Sequence, residues 1–176
     1  MTEKVILVDT DDTEIGEMEK LEAHQKAKLH RAVSIFIFNS KGQLLLQKRA
    51  LIKYHSPGLW TNTVCTHPRP GENIEYAAIR RLKEEMGLKI EKLTKIFDFT
   101  YKETLDNNLT EYEFDHVFVG ISDDSPVPEP TEVCDFEYID SDILLAQIKL
   151  NPEKYTVWFK KIVERVLFEF HYINNK

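Results

Sequence analysis

Residues 72–88 read ENIEYAAIRRLKEEMGL, and they indicate a helix with clear start and stop signals. Asn73 is a favourable N-cap, and Glu75 follows in the first turn, where the helix dipole stabilises an anion. Apolar side chains then recur at helical spacing, at Ile74, Ala77, Ala78, Ile79 and Leu82. We therefore predict an amphipathic helix that begins after Asn73 and ends at Gly87.

The charged residues of this helix suggest a second role for it. Residues four apart share a helix face, so Arg80 lies beside Glu84 and Arg81 beside Glu85. In an isolated helix these would be solvated ion pairs of small value. A carboxylate with an arginine one turn away also suits a magnesium diphosphate, because Mg²⁺ takes hard oxygen ligands and shares the substrate's oxygens. The spacing of Glu72, Arg80, Glu84, Glu85, Gly87 and Leu88 resembles the Nudix box, although Thr66 replaces its first glycine and Arg81 replaces a glutamate.

Before and after this helix in the sequence, patterns typical of strands and helices alternate. Residues 31–38 and 44–47 are β-branched, aromatic or aliphatic and flank a turn at 39–42, which predicts a β-hairpin. Further strands are predicted at 95–102, 111–121 and 136–139, and further helices at 143–148 and from Pro152 to the C-terminus. We predict an α+β fold of one domain, residues 1–176.

Composition and charge exclude several classes of protein. The chain has 176 residues, of which 42% are hydrophobic, and its net charge of −7 argues against a general nucleic-acid binder. Apolar runs are too short for a membrane span or a signal peptide, so we expect no membrane partner. Cys65 and Cys134 are the two cysteines, which suggests free thiols in a reducing cytoplasm. We interpret Cys134 as a small buried hydrophobe.

Residues 50–71 form a long segment without periodicity, and such ordered loops often carry function. Within it, residues 61–68 read TNTVCTHP. Cys65 lies two residues from His67 among polar neighbours, where a thiol can exchange a proton if the site shifts its pKa.

Three imidazoles and two carboxylates form a candidate metal site, at His24, His30, His67, Glu111 and Glu113. Glu111 and Glu113 lie two apart on a predicted strand and therefore project from one face, where they would repel unless a cation or proton lay between them. This donor set suits Zn²⁺ or Mn²⁺ better than Ca²⁺. The remaining histidines have no comparable partners and stay unassigned: His55, His116 and His171.

Residues 29–32, 61–68 and 111–113, together with the altered box, resemble type I isopentenyl diphosphate isomerases, from about Lys4 to the last helix. The resemblance implies a Nudix-like mixed β-sheet sandwiched between helices. It also implies an enzyme that interconverts isopentenyl and dimethylallyl diphosphates through a tertiary carbocation, with a small diphosphate as its partner.

The resemblance also implies a role for each matching residue. Cys65 and Glu113 match the proton-transfer pair, and Tyr101 and Trp158 match aromatic residues near the reacting double bond. The five candidate ligands match a site for Mn²⁺ or Zn²⁺, while the Glu85 carboxylate and the Cys65 backbone match ligands of a substrate-linked Mg²⁺. The residues matching substrate contacts are Lys20, Arg49, Lys53, Thr66 and Arg81. The helical pattern alone favours a different interpretation of Trp158, as a core residue of an amphipathic helix.

Two alternatives stay open. A Nudix hydrolase of a nucleoside diphosphate derivative would use Glu72, Glu84 and Glu85, although Arg81 replaces a metal-binding glutamate of that family. A non-catalytic metal- or nucleotide-binding module is the other, and the presence of both Cys65 and Glu113 argues against it. We expect a monomer or a weak homodimer.

Overall fold

The computed structural model describes residues 3–174 and shows a mixed β-sheet with helices on both faces. The strands are β1 (Lys4–Val8), β2 (Glu14–Glu19), β3 (His30–Phe38), β4 (Leu44–Arg49), β5 (Trp60–Thr61), β6 (Val64–Thr66), β7 (Thr94–Thr104), β8 (Thr110–Ile121) and β9 (Val133–Ile139). The helices are α1 (Lys20–Gln25), α2 (Ile74–Met86), α3 (Ser141–Leu150) and α4 (Val157–Asn174). Short 3₁₀ turns lie at Asp106–Asn108 and Pro152–Lys154. The predicted α+β class is confirmed.

Strand β3 is the centre of the sheet. It runs parallel to β8, with His30 opposite Glu113, and antiparallel to β6, with Ser34 opposite Cys65. It also meets β1 at its start and β4 at the hairpin turn. Further out, β2 pairs with β1, β7 pairs with β8, and β9 and β5 pair with β4. This register brings the imidazole of β3, the thiol of β6 and the carboxylates of β8 to one region of the sheet.

The alternation of side chains along β3 builds two hydrophobic layers. Phe36 and Phe38 pack against α4, where the ring of Phe38 stacks on Phe170 with centroids 3.6 Å apart. Ile35 and Ile37 point to the other face and pack in the layer that contains α2. The sheet is therefore covered on both faces, as predicted. Across residues 3–174, none of the helices combines the length and apolar content needed to cross a membrane.

Helix α2 has the predicted ends. The Asn73 side chain accepts hydrogen bonds from the backbone N–H groups of Glu75 and Tyr76. Gly87 ends the helix in the left-handed conformation, with φ 67°, and its N–H donates to the carbonyl of Lys83. A Cβ at this position would lie 2.8 Å from the carbonyl oxygen of Val127. A glycine is thus required at position 87 for two reasons: the backbone there has a positive φ angle, and Val127 approaches it closely.

Replacing Gly87 with alanine should destabilise the protein by more than about 2 kcal/mol, since a left-handed L-residue costs about 1–2 kcal/mol and the contact with Val127 adds to it. Gly42→Ala is the matched control, because Gly42 also has a positive φ, of 78°, but has no atom within 4 Å of the added Cβ. Urea unfolding of both variants measures the difference. Equal losses would show that the contact with Val127 carries no cost.

Most predicted elements are confirmed, but the sequence patterns did not indicate hairpin β1–β2, helix α1 or the short strands β5 and β6. Two expectations are wrong. Pro152 opens a 3₁₀ turn rather than the last helix, which begins at Val157, because Tyr155 is extended and the Thr156 N–H donates to the Trp60 carbonyl. Cys134 is exposed rather than buried, since its neighbour Val133 takes the inward position on β9.

Candidate active site

A pocket of about 650 Å³, including its open mouth, lies where β3, β6, β7 and β8 meet α1, α2, α4 and the loop after β4. It brings together nearly all of the predicted site residues. Those in its wall are Lys20, Arg49, Lys53, Cys65, Thr66, His67, Arg81, Glu85, Tyr101, Glu111, Glu113 and Trp158. The remaining two, His24 and His30, are fully buried beside His67, with ring centroids 5.8 and 5.0 Å from it.

The imidazoles of His24 and His30 are oriented from behind by backbone carbonyls. The Nδ1 atom of His24 lies 2.7 Å from the carbonyl oxygen of Lys20, and Nδ1 of His30 lies 2.8 Å from that of Lys28. An Nδ1–H that donates to a carbonyl leaves Nε2 with a free lone pair, the usual arrangement behind a metal-ligating histidine. Within residues 3–174, neither Nε2 atom has a hydrogen-bond partner. The Nε2 atom of each ring is therefore available to bind a metal ion on the pocket side.

The two carboxylates of β8 face the same cluster. Glu113 Oε1 lies 2.9 Å from His67 Nε2 and 3.6 Å from His30 Nε2. From β7, the Tyr101 hydroxyl lies 2.7 Å from Glu113 Oε2 and 3.0 Å from Glu111 Oε2. The expected projection of both glutamates from one face of the strand is thus confirmed.

Burial and neighbouring charges separate the pKa values of these two carboxyl groups. Burial, followed by the charge of Glu113, raises the pKa of Glu111 well above its usual value. Burial alone would also raise the pKa of Glu113, but the imidazoles of His30 and His67 outweigh it and hold that pKa well below its usual value. Burial also raises the pKa of Tyr101, so its hydroxyl stays protonated. A divalent cation between the carboxylates would favour the ionised form of both.

The donor set fits a first-row divalent ion. One ligand atom from each of His24, His30, His67 and Glu113 lies within 4.8 Å of the others. Unprotonated imidazoles with carboxylates suit Zn²⁺ or Mn²⁺ rather than Ca²⁺. The orphaned Nε2 atoms of His24 and His30 are the observation that supports this fit, because unpaired buried nitrogens are costly unless something binds them.

Cys65 sits opposite polar and aromatic partners. Its Sγ lies 3.0 Å from Asn62 Oδ1, 3.0 Å from Trp158 Nε1 and 3.7 Å from Ser34 Oγ. Burial, followed by the charge of Asp115, raises the pKa of the Cys65 thiol, which keeps it a neutral acid. Trp158 is both a core residue and a wall of the pocket, so its two interpretations are compatible.

At the other end of the pocket, basic groups are already paired with carboxylates. Arg81 Nη2 lies 2.6 Å from Glu85 Oε1 and 3.4 Å from Glu132 Oε1, and Lys53 also pairs with Glu132. Burial raises the pKa of Glu85, while the charge of Arg81 opposes that rise. Glu85 is therefore a buried carboxylate directed toward the pocket and is a suitable oxygen ligand for Mg²⁺.

The other two glutamates of the Nudix-like motif, Glu72 and Glu84, do not line the pocket. Arg80 contacts Glu72 at 2.7 Å and Glu84 at 3.1 Å, and Arg81 contacts Glu84 at 3.0 Å. Neither Glu72 nor Glu84 is among the residues that line the pocket. Of the three box glutamates that a hydrolase would use, the pocket contains Glu85 alone.

Several pocket residues were not identified from the sequence, and Gln47, Glu132 and His55 are among them. Gln47 donates from Nε2 to Glu85 Oε2 at 3.2 Å, and Glu132 holds Lys53 and Arg81. His55, left unassigned, lies in the pocket wall, where burial, followed by the charge of Arg49, lowers its pKa to about 2. Gln47 lies inside an apolar strand and Glu132 lies in a loop, so neither carried a local signal.

Comparison with known proteins places this geometry in a family. The NUDIX domain family matches residues 28–160. A curated relative from Aromatoleum aromaticum, isopentenyl-diphosphate Delta-isomerase 1, is 52% identical over 167 residues, which is 95% of this chain and 94% of the relative. Isopentenyl-diphosphate Delta-isomerase 2 from Photorhabdus laumondii is 52% identical over 169 residues, which is 96% of this chain and 95% of the relative.

Solved structures support the fold. The crystal structure of DR0079 from Deinococcus radiodurans matches with a TM-score of 0.77 at 24% identity, over 93% of this chain and 98% of that one. The MutT protein from Methanosarcina mazei matches with a TM-score of 0.66 at 20% identity, over 84% of this chain and 96% of that one. These likenesses concern the fold, whereas the curated relatives carry the sequence match across almost the whole chain. The chain therefore belongs to the isopentenyl-diphosphate Delta-isomerases of the Nudix family.

Proposed function

We propose that this enzyme interconverts isopentenyl diphosphate and dimethylallyl diphosphate. The observation that carries the proposal is a single pocket that contains a neutral thiol, a carboxylate and an indole beside a cluster of basic side chains. The curated relatives named isopentenyl-diphosphate Delta-isomerase support it.

The reaction explains why both Cys65 and Glu113 are present. Moving the double bond adds a proton to one terminal carbon and removes a proton from another carbon, through a tertiary carbocation. A positioned acid and a positioned base perform the two transfers, which typically contribute about 10²- to 10⁴-fold each. The neutral Cys65 thiol and the ionised Glu113 carboxylate supply one group of each kind. The reverse reaction exchanges their roles.

The aromatic walls protect and stabilise the cation. When water is excluded, the π face of Trp158 is worth about 2 kcal/mol to a cation, which is roughly a factor of 30 in rate. Tyr101 holds Glu113 from the β7 side and keeps its carboxylate in one orientation. Most of the acceleration must then come from the positioned acid and base.

Charged groups at the opposite end of the pocket would bind the diphosphate. Arg81 and Lys53 would exchange Glu132 for phosphate oxygens, while Arg49 and Lys20 approach from the end of β4 and from α1. Glu85 and the backbone carbonyl of Cys65 would hold the Mg²⁺ that accompanies the substrate, and Thr66 would touch the substrate beside them.

The second metal would be held by His24, His30, His67, Glu111 and Glu113. When bound, a Mn²⁺ or Zn²⁺ ion supplies a fixed positive charge that orients Glu113 and tunes its proton affinity. Residues 1–176 would form one catalytic domain, active as a monomer or a weak homodimer. A reducing compartment such as the cytoplasm suits this enzyme, because Cys65 must stay a thiol.

Hydrolysis of a nucleoside diphosphate derivative is less well supported. A Nudix hydrolase relies on several box carboxylates, yet Arg80 pairs with Glu72 and Glu84, and Arg81 occupies the position of another. A binding module without catalysis would have no need for the convergence of Cys65 and Glu113 on one pocket.

The direct test is incubation with isopentenyl diphosphate and Mg²⁺ in deuterated water, followed by NMR. We expect dimethylallyl diphosphate that carries deuterium, because the acid exchanges its proton with solvent before it protonates the substrate. A reaction without enzyme is the control for spontaneous exchange. Release of inorganic phosphate, or failure to form dimethylallyl diphosphate, would contradict the proposal.

A further inference from the structure

His55 is a pocket residue that the proposed reaction does not use. It lies in the loop between β4 and β5 and is 8% exposed. Its ring meets Trp158 edge to face, with centroids 5.9 Å apart, and lies nearly parallel to His24 at 6.1 Å. The imidazole is therefore enclosed between the aromatic wall and the cluster of histidines.

One nitrogen of this ring is unsatisfied. His55 Nδ1 is buried and has no hydrogen-bond partner within residues 3–174. Its nearest acidic neighbour is Glu111, whose Oε1 lies 3.8 Å away, too far for a hydrogen bond. A buried nitrogen without a partner costs free energy unless a ligand occupies the space that it faces.

The grouping of donor atoms shows what that ligand can be. One atom from each of His24, His55 and Glu111 lies within 4.8 Å of the others. The second such group contains His24, His30, His67 and Glu113. His24 belongs to both groups, whereas Glu111 belongs only to the group that contains His55. An ion that uses both His24 and Glu111 therefore lies within reach of His55.

We propose that His55 is a further ligand of the divalent ion, through Nδ1, so that one ion is bound by four imidazole nitrogens and two carboxylates. The inference deepens the metal centre of the proposed function but does not depend on the isomerase reaction itself. His24 joins the two groups, and Glu111 and Glu113 close the shell from β8.

A shell of six protein ligands indicates which role the ion would have. Catalytic metal sites keep an open position for water or substrate, whereas sites filled by protein side chains do not. An ion enclosed by six side chains orients Glu113 without activating a water molecule. The carbocation and the diphosphate are thereby kept away from a metal-activated nucleophile, which distinguishes this pocket from that of a hydrolase.

Metal binding tests the inference independently of catalysis. Chelator-treated protein is titrated with Mn²⁺ alone, and pulsed EPR with ¹⁵N-labelled histidine counts the coordinated imidazoles. We expect one ion per chain with four histidine nitrogens in the wild type. In His55→Phe, which keeps a ring against Trp158, we expect three nitrogens and a dissociation constant at least about tenfold higher.

Two variants keep the test decisive. His171→Gln removes an exposed imidazole from α4, outside the pocket lining, and should leave four nitrogens and the wild-type affinity. If His55→Phe fails to fold, His55→Asn replaces it, since its shorter polar side chain leaves room in the same wall, and three nitrogens are again expected. Three nitrogens in the wild type, unchanged affinity in the His55 variants, or a second tightly bound ion per chain would overturn the inference. Absence of isomerase activity with four nitrogens present would refute the proposed reaction alone.

Discussion

Replacement of Cys65 by alanine or serine is expected to lower the turnover of isopentenyl diphosphate by about a thousandfold or more, in the range of a lost general acid or base. The affinity for inorganic diphosphate should stay close to that of the wild type. The two effects separate because the thiol lies beside Asn62 and Trp158, whereas Arg81 and Lys53 lie around Glu85 and Glu132.

The serine variant is the more informative of the two. Its hydroxyl can still donate to Asn62 Oδ1 and accept from Trp158 Nε1, so the local hydrogen bonds survive. A hydroxyl is a far weaker acid than a thiol, however, and proton transfer should fail even though the geometry is kept. The result would show that acidity, rather than packing, is what Cys65 contributes.

Cys134→Ser is the matched control, because Cys134 is exposed on β9 and is not part of the pocket lining. We expect wild-type turnover for it. Steady-state kinetics by NMR gives kcat and KM, and calorimetry with inorganic diphosphate gives the affinity. Retained turnover in Cys65→Ala would remove Cys65 from the proton-transfer pair.

Local patterns in the sequence were sufficient for the elements that depend on near neighbours. Helix α2 has its cap at Asn73, its apolar stripe and its stop at Gly87 within one continuous segment, and all three are present in the structure. The β3–β4 hairpin is similarly local. Most of the site was predicted as well, because the TNTVCTHP segment and the Glu111–Glu113 pair carry a specific resemblance.

Long-range pairing determined the features that could not be predicted. The parallel register of β3 and β8 places His30 opposite Glu113, and no local periodicity encodes the register of strands so distant in sequence. Gln47 and Glu132 belong to the pocket only because β4 and β9 pair beside α2. His55 likewise gains its partners from α1, β8 and α4 rather than from its own loop.

The net charge of −7 and an anionic substrate are compatible once the charges are placed. Two basic side chains of the pocket, Arg81 and Lys53, form pairs with Glu85 and Glu132 in the structure. A magnesium diphosphate would replace those contacts with its own oxygens, and the Mg²⁺ would take over Glu85. Binding then exchanges one set of ion pairs for another, which limits the desolvation cost of entering the pocket.

Replacement of Glu113 by glutamine is expected to abolish turnover by at least about a thousandfold at every metal concentration, since the base of the reaction is lost. The same change at Glu111 should also weaken metal binding, but turnover should recover substantially at high Mn²⁺. The contrast follows from their contacts. Glu113 touches His67 at 2.9 Å and Tyr101 at 2.7 Å, with His30 at 3.6 Å. Glu111 touches Tyr101 at 3.0 Å and faces His55 at 3.8 Å.

Both variants keep the shape of the side chain and replace a buried carboxyl group with an amide, so loss of folding does not account for the expected difference. Glu137→Gln, on β9 outside the pocket lining, is the control for a partly buried glutamate. Initial rates of dimethylallyl diphosphate formation across a Mn²⁺ titration separate the two roles. Glu111 acts as a ligand, so mass action restores its variant, whereas added metal cannot supply the proton acceptor that Glu113→Gln lacks. Recovery of Glu113→Gln to the same extent as Glu111→Gln would show that Glu113 serves the metal alone, and the proton-transfer partner of Cys65 would then have to be sought elsewhere in the pocket.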